Sequence, residues 1–212
     1  MTRSGRHLGL SLAVTVSCMA VWYAGEPAEG MARLSLLTAW LCFVLLAAAL
    51  CLGPWRVLRG GQPMLSHLLR RDLGIWAALT ALAHLLAATA VVMTPVYYGR
   101  YINGADNQPL SAFIGPLSTI SIVSGYLIGI VCLLLLGISS NLALRVLGAH
   151  RWKGLQRWSY IVFALTAAHG LAFQYIELRT GIWLIALGLG SLLVLTLQLA
   201  GRRAVRERTQ PG

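Results

Sequence analysis

Long apolar runs separated by short polar, arginine-rich segments are the dominant pattern of the chain. Six runs approach the ~20 residues that a helix needs to cross a bilayer: Leu8 to Ala24, Leu34 to Leu52, Leu73 to Thr94, Leu117 to Ile138, Trp158 to Ile176 and Ile182 to Ala200. Gly53 and Pro54 close the second run, because proline has no N–H to continue a helix. Pro95 loosens the end of the third. The longest connection, Val96 to Pro116, carries Asn-Gly, Asn-Gln-Pro and Gly-Pro signals and reads as an exposed loop. The pattern predicts an all-α, polytopic membrane protein. Its core is a six-transmembrane-helix bundle over residues 8–200, preceded by an arm (1–7) and followed by a basic tail (201–212).

Composition supports that class and charge orients it. Of 212 residues, 58% are hydrophobic and 11% charged, which places lipid around the bundle. The net charge of +11 does not indicate nucleic acid, since the basic residues lie in short segments between apolar spans. With six spans, all but three of the 17 basic residues fall on one face; Arg33, Arg100 and Arg179 are the exceptions. The positive-inside rule then makes both termini cytoplasmic. A cleavable signal peptide is the alternative for the first run, but a retained helix keeps the charge asymmetry consistent. Cys18, Cys42, Cys51 and Cys132 form no CxxC pair and give neither a zinc site nor a disulfide framework.

Two spans carry an ionisable side chain at mid-depth, His84 and His169, which is costly and therefore a functional-site hypothesis. His84 lies 11 residues after Leu73 and His169 lies 11 after Trp158, so both sit ~16 Å into parallel spans. Two imidazoles at one level suit the axial positions of a b-type haem, which needs no CxxCH attachment. Small residues flank both: Thr80, Ala81, Ala87 and Ala88 on one helix, Thr166, Ala167, Ala168 and Gly170 on the other. Interhelical hydrogen bonding or a proton path would explain the histidines as well, in a cofactor-free transporter or scaffold. His7, His67 and His150 read as exposed surface histidines.

Two segments carry a family resemblance. Arg70-Arg71-Asp72-Leu73-Gly74-Ile75-Trp76 leads to Ala81-Leu82-Ala83-His84. Leu147-Gly148, then Arg151-Trp152-Lys153-Gly154-Leu155-Gln156-Arg157 and Tyr160, lead to His169. These resemble the third helix, and the fourth loop and fifth helix, of the ferric reductase-like transmembrane domain family. Within it, the chain looks most like haem-binding membrane subunits of periplasmic methionine sulfoxide reductase systems. Members with two stacked haems have a second histidine 13 or 14 residues before each ligand. Here those positions hold Arg70 and Gln156. The resemblance therefore implies one haem b, ligated by His84 and His169 toward the outer leaflet of a bacterial inner membrane.

Further expectations concern the two faces. Arg70, Arg71, Trp152, Lys153 and Arg157 could hold a flavin phosphate or a quinone head, because guanidinium forks suit phosphate and tryptophan stacks on rings. Topology and lipid head groups explain the same charges. Tyr97, Tyr98 and Arg100 could meet haem propionates, or form an aromatic belt. The sequence has no GxGxxG setting and no stretch long enough for a nicotinamide or flavin domain, so electrons are expected from a quinone or a cytoplasmic flavin reductase. The resemblance implies a periplasmic oxidoreductase as acceptor, with direct reduction of ferric iron or another small oxidant as the alternative. The chain reads as an electron conduit more than as a complete enzyme.

Overall fold

The computed structural model describes residues 3–23, 30–60, 64–101, 111–179 and 181–209, all of them helices and the turns that join them. The helices are α1 (Arg3–Tyr23), α2 (Gly30–Leu58), α3 (Met64–Val92), α4 (Pro95–Tyr101), α5 (Ser111–Gly137), α6 (Asn141–Gln156), α7 (Trp158–Ile176) and α8 (Ile182–Thr209). Five segments are long and apolar enough to cross a membrane: Gly30–Leu58, Leu68–Val92, Gly115–Gly137, Asn141–Ile176 and Ile182–Arg208. α1 is not among them.

Helix α3 packs on α2 and α5, α5 packs on α7, and α8 lies against α2 and α7. The core lies where α2, α3, α5, α7 and α8 meet. Phe43 stacks on Phe163 with ring centroids 5.4 Å apart, and Trp40 meets Trp183 at 5.5 Å. Gly190 makes room for this cluster, since a Cβ there would fall 2.8 Å from the Phe43 ring.

Helix α2 continues through Pro54, where the sequence pattern predicts a stop. Proline cannot donate to the carbonyl four residues back, here that of the buried Leu50. Gln198 of α8 supplies the missing donor, with its Nε2 2.8 Å from the Leu50 oxygen. Gly201 lets the two helices approach, as a Cβ there would come within 2.8 Å of Pro54 Cβ. The pairs Phe43 and Gly190, Leu50 and Gln198, Pro54 and Gly201 advance together, so α2 and α8 run parallel. Gln198→Leu should leave the Leu50 carbonyl without this donor in an apolar setting and cost about 1–3 kcal/mol of unfolding free energy. In a Pro54→Ala background, where the backbone N–H at position 54 returns, the same substitution should cost almost nothing. Unfolding in mixed micelles measures both.

Three other sequence expectations change. The Val96 to Pro116 connection is not simply an exposed loop. Pro95 opens α4, a position that needs no N–H. Tyr101 at its end is buried, and its carbonyl accepts the Ser118 hydroxyl at 2.6 Å. Residues 102–110 lie outside the described residues. The basic segment after α5 is helical as well: Ser140 caps α6 by accepting the Ala143 N–H at 3.0 Å. Gly148 breaks that helix with φ 72° and ψ 159°, a conformation open essentially to glycine alone.

The N-terminal arm forms the first turns of α1, and His7 is not a free surface histidine. Arg6 donates from Nε and Nη2 to Asp72 Oδ2 at 3.0 and 2.8 Å, and Asp72 is fully buried. His7 Nε2 stands 3.2 Å from Asp72 Oδ1, while Trp76 Nε1 donates to His7 Nδ1 at 3.2 Å. At the far end of α1, Trp22 lies against Gly30 of α2. Leu8, Leu12, Val16 and Met19 form an exposed apolar stripe between these ends. His150 is exposed on α6, and His67 falls within α3 with its side chain outside the described residues.

Candidate cofactor site

His84 on α3 and His169 on α7 meet across a cavity of about 200 Å³ enclosed by α2, α3, α4, α5 and α7. Their ring centroids are 6.3 Å apart and their planes nearly perpendicular, at 81°. His84 lies eight residues before the end of α3 and His169 seven before the end of α7, which accounts for their common level. The expected convergence of the two histidines is therefore present.

Each ring is oriented by a backbone carbonyl on a neighbouring helix. His84 Nδ1 donates to the Ser35 oxygen of α2 at 2.8 Å, and His169 Nδ1 donates to the Ser121 oxygen of α5 at 3.0 Å. The hydroxyls of Ser35 and Ser124 stand 3.3 and 3.4 Å from the same nitrogens. A neutral ring that donates from Nδ1 carries its lone pair on Nε2, the form in which histidine binds metals. Gly125 of α5 gives His169 its space, because a Cβ there would fall 2.9 Å from Cε1.

The donor set fits a haem better than a bare ion. Among the described residues, no group of three or more His, Cys, Asp or Glu side chains converges to hold a metal. Protein metal sites normally use three or four such ligands. Two imidazoles alone require the remaining donors to come from the bound group, as a tetrapyrrole's four nitrogens do. Two buried polar atoms on the cavity side also lack protein partners among the described residues, Thr166 Oγ1 and Gln174 Oε1.

Helical period selects which small residues serve the cavity. Ala81, Ala88 and Thr166 line it, at three or four residues from a histidine on the same face, and Gly170, next to His169, lines it too. Thr80 and Ala87 are buried elsewhere, and Ala168 is exposed. Thr80 spends its hydroxyl on the carbonyls of Trp76 and Ala77. Tyr97 lines the cavity at its α4 end, whereas Tyr98 points to the surface. The Arg100 side chain lies outside the described residues.

The α4 end of the cavity also receives Tyr101, Phe173, Gln174, Glu177 and Arg179. The His169 and Phe173 rings are 4.9 Å apart. Helix α7 ends in a Schellman motif, with Leu178 N–H bonded to the Tyr175 oxygen and Arg179 N–H to the Gln174 oxygen. Leu178 occupies its left-handed position at φ 52°, where glycine is usual and another residue costs ~1–2 kcal/mol.

The basic cluster at the opposite end is dispersed. Arg70 reaches the Tyr160 hydroxyl at 3.3 Å, and Arg71 donates to Asn141 Oδ1 at 2.7 Å. Trp152 donates to the Ile138 carbonyl at 2.8 Å and so secures the end of α5. Lys153 and Arg157 are exposed. None of these residues lines the histidine cavity. Gln156 has its Nε2 buried without a partner among the described residues.

No protein-family model and no solved structure matches the chain.

Proposed function

We propose that the chain is a b-type membrane cytochrome that conducts single electrons across a bacterial inner membrane to an acceptor on the outer face. The observation that carries this reading is the pair of neighbouring imidazoles, their centroids 6.3 Å apart, each held by Nδ1 on a backbone carbonyl, with no group of three or more metal-ligating side chains among the described residues. A single haem b held by His84 and His169 would supply a one-electron couple of the kind that axial ligands and burial tune. The chain's own part is to fix both ring planes, keep both rings neutral and enclose the site in apolar side chains.

One cofactor, not two, is supported by the fate of the inner positions. The Arg70 guanidinium sits between the Tyr160 hydroxyl and the surface of Gly53, in the space where an inner ligand pair would be needed. A six-span plan with both termini cytoplasmic is supported by α1. From Arg6 at Asp72 to Trp22 at Gly30 it runs ~24 Å beside the bundle, close to the apolar thickness of a bilayer. The donor in this reading is a quinone or a cytoplasmic flavin reductase. The acceptor is a periplasmic oxidoreductase of the methionine sulfoxide reductase kind, as the sequence resemblance implies.

The test is the visible spectrum of the purified full-length chain, air-oxidised and then dithionite-reduced, with haem quantified per chain. One haem with a sharp, six-coordinate spectrum is the expected result. Two per chain would refute the single-site claim, and none, with haem supplied during expression, would sink the cytochrome reading. Gly125→Ala gives a finer check. It should push the His169 ring out of register with His84 and lower haem occupancy severalfold. Gly137→Ala, where an added Cβ meets nothing within 4 Å, should leave occupancy unchanged.

A further inference from the structure

The α4 end of the cavity is chemically unlike the rest of it. Around the histidines the walls are mainly alanine, leucine, valine and aromatic rings, whereas the last turn of α7 and the segment after it bring Gln174, Glu177 and Arg179 to one end. Gln174 is 7% exposed, and its Oε1 is buried without a partner among the described residues. Thr166, His169, Phe173, Gln174 and Glu177 form one stripe along α7, so this end continues the face that carries the histidine. The left-handed Leu178 reverses the chain between Glu177 and Arg179, with the Arg179 N–H bonded 2.9 Å from the Gln174 carbonyl. Arg179 Nη2 is 3.8 Å from Glu177 Oε2, a loose pairing for a guanidinium with five N–H donors.

That rim holds a cation, an amide and the Glu177 carboxylate, and its cation and amide suit a ligand that is apolar over its face and acidic along one edge. A guanidinium takes carboxylate through paired N–H donors, and an amide offers either N–H to a carboxylate or C=O to a carboxylic acid. We infer that Gln174 and Arg179 form a receptor for the carboxyl groups on the rim of the tetrapyrrole, and so fix which edge of it faces the outer surface. This rests on the reading of His84 and His169 as haem ligands.

The test uses the full-length chain, produced under haem limitation and purified in detergent, then titrated with haem and with haem dimethyl ester while the Soret band is followed. Arg179→Leu should weaken haem binding by about tenfold or more, and Gln174→Leu by a smaller factor, because charge-assisted bonds are the stronger ones. The ester, which has no acidic group, should bind all three proteins alike and more weakly than haem binds the wild type. Arg179→Lys, which keeps the charge and loses the fork, should give intermediate haem affinity. Equal loss for haem and ester in the variants would overturn the receptor while leaving the haem reading intact, as would an ester that binds the wild type as tightly as haem does. A wild-type chain that binds neither would overturn both.

Discussion

His84→Ala and His169→Ala should each abolish the six-coordinate haem spectrum and lower haem content by more than the ~10–100-fold that loss of a second-shell partner costs. The two variants should behave alike, because the two ligands are built alike. Each imidazole comes from a membrane helix and is tethered at Nδ1 to a backbone oxygen on another helix, Ser35 of α2 or Ser121 of α5. Removing either would leave one imidazole where two would hold the haem. Ser35→Ala and Ser121→Ala sharpen the test. Their carbonyls survive the substitution, so both variants should retain haem at near wild-type content. A larger effect from Ser35→Ala than from the histidines would indicate that the Ser35 hydroxyl, 3.3 Å from His84 Nδ1, and not the imidazoles, defines the site. Pyridine haemochrome assays on the four purified variants decide between these outcomes.

How much of this site was legible in the sequence follows from which atoms do the work. The histidines were legible, because a titratable ring among alanines and leucines at mid-span is costly, and their equal depth follows from helical rise. The acceptors on Ser35 and Ser121 were not, since every residue carries a carbonyl and only packing decides which one a ring meets. Gly125 offered a weak signal as a mid-span glycine, but its use depends on the position of a ring 44 residues away in the chain. The α4 end escaped for a different reason. Gln174 and Arg179 lie beside a turn whose left-handed residue is a leucine, and without glycine or asparagine nothing marked a Schellman reversal. The membrane class and five of the apolar spans followed from hydropathy. Pro54 misled because a proline ends a helix only when nothing else serves the freed carbonyl, and Gln198, 148 residues away, does so.

The N-terminus supplies the other large effect. Asp72 is a carboxylate with no solvent exposure in the N-terminal half of α3, and Arg6 meets one of its oxygens with two N–H donors. Removing one partner of a buried ion pair leaves an uncompensated charge, whereas replacing both with apolar residues is often neutral or better. Arg6→Leu should therefore lower unfolding free energy by about 3–5 kcal/mol, and the Arg6→Leu, Asp72→Leu double variant should recover most of it. His7 bears on the size of the loss. Trp76 donates to its Nδ1, which places the ring's proton on Nε2, the nitrogen 3.2 Å from Asp72 Oδ1. That contact offsets part of the charge, so the Arg6→Leu, His7→Leu combination should cost more than Arg6→Leu alone. Because these residues hold the start of α1 to α3, the same variants should loosen α1. Cysteine accessibility at Cys18, a partly buried thiol on α1, then separates two cases. Increased labelling in Arg6→Leu, reversed in the Arg6→Leu, Asp72→Leu double variant, would show that the buried carboxylate is what commits α1 to the bundle. Labelling that rises equally in both would mean that the arginine's packing, and not its charge, holds the helix in place.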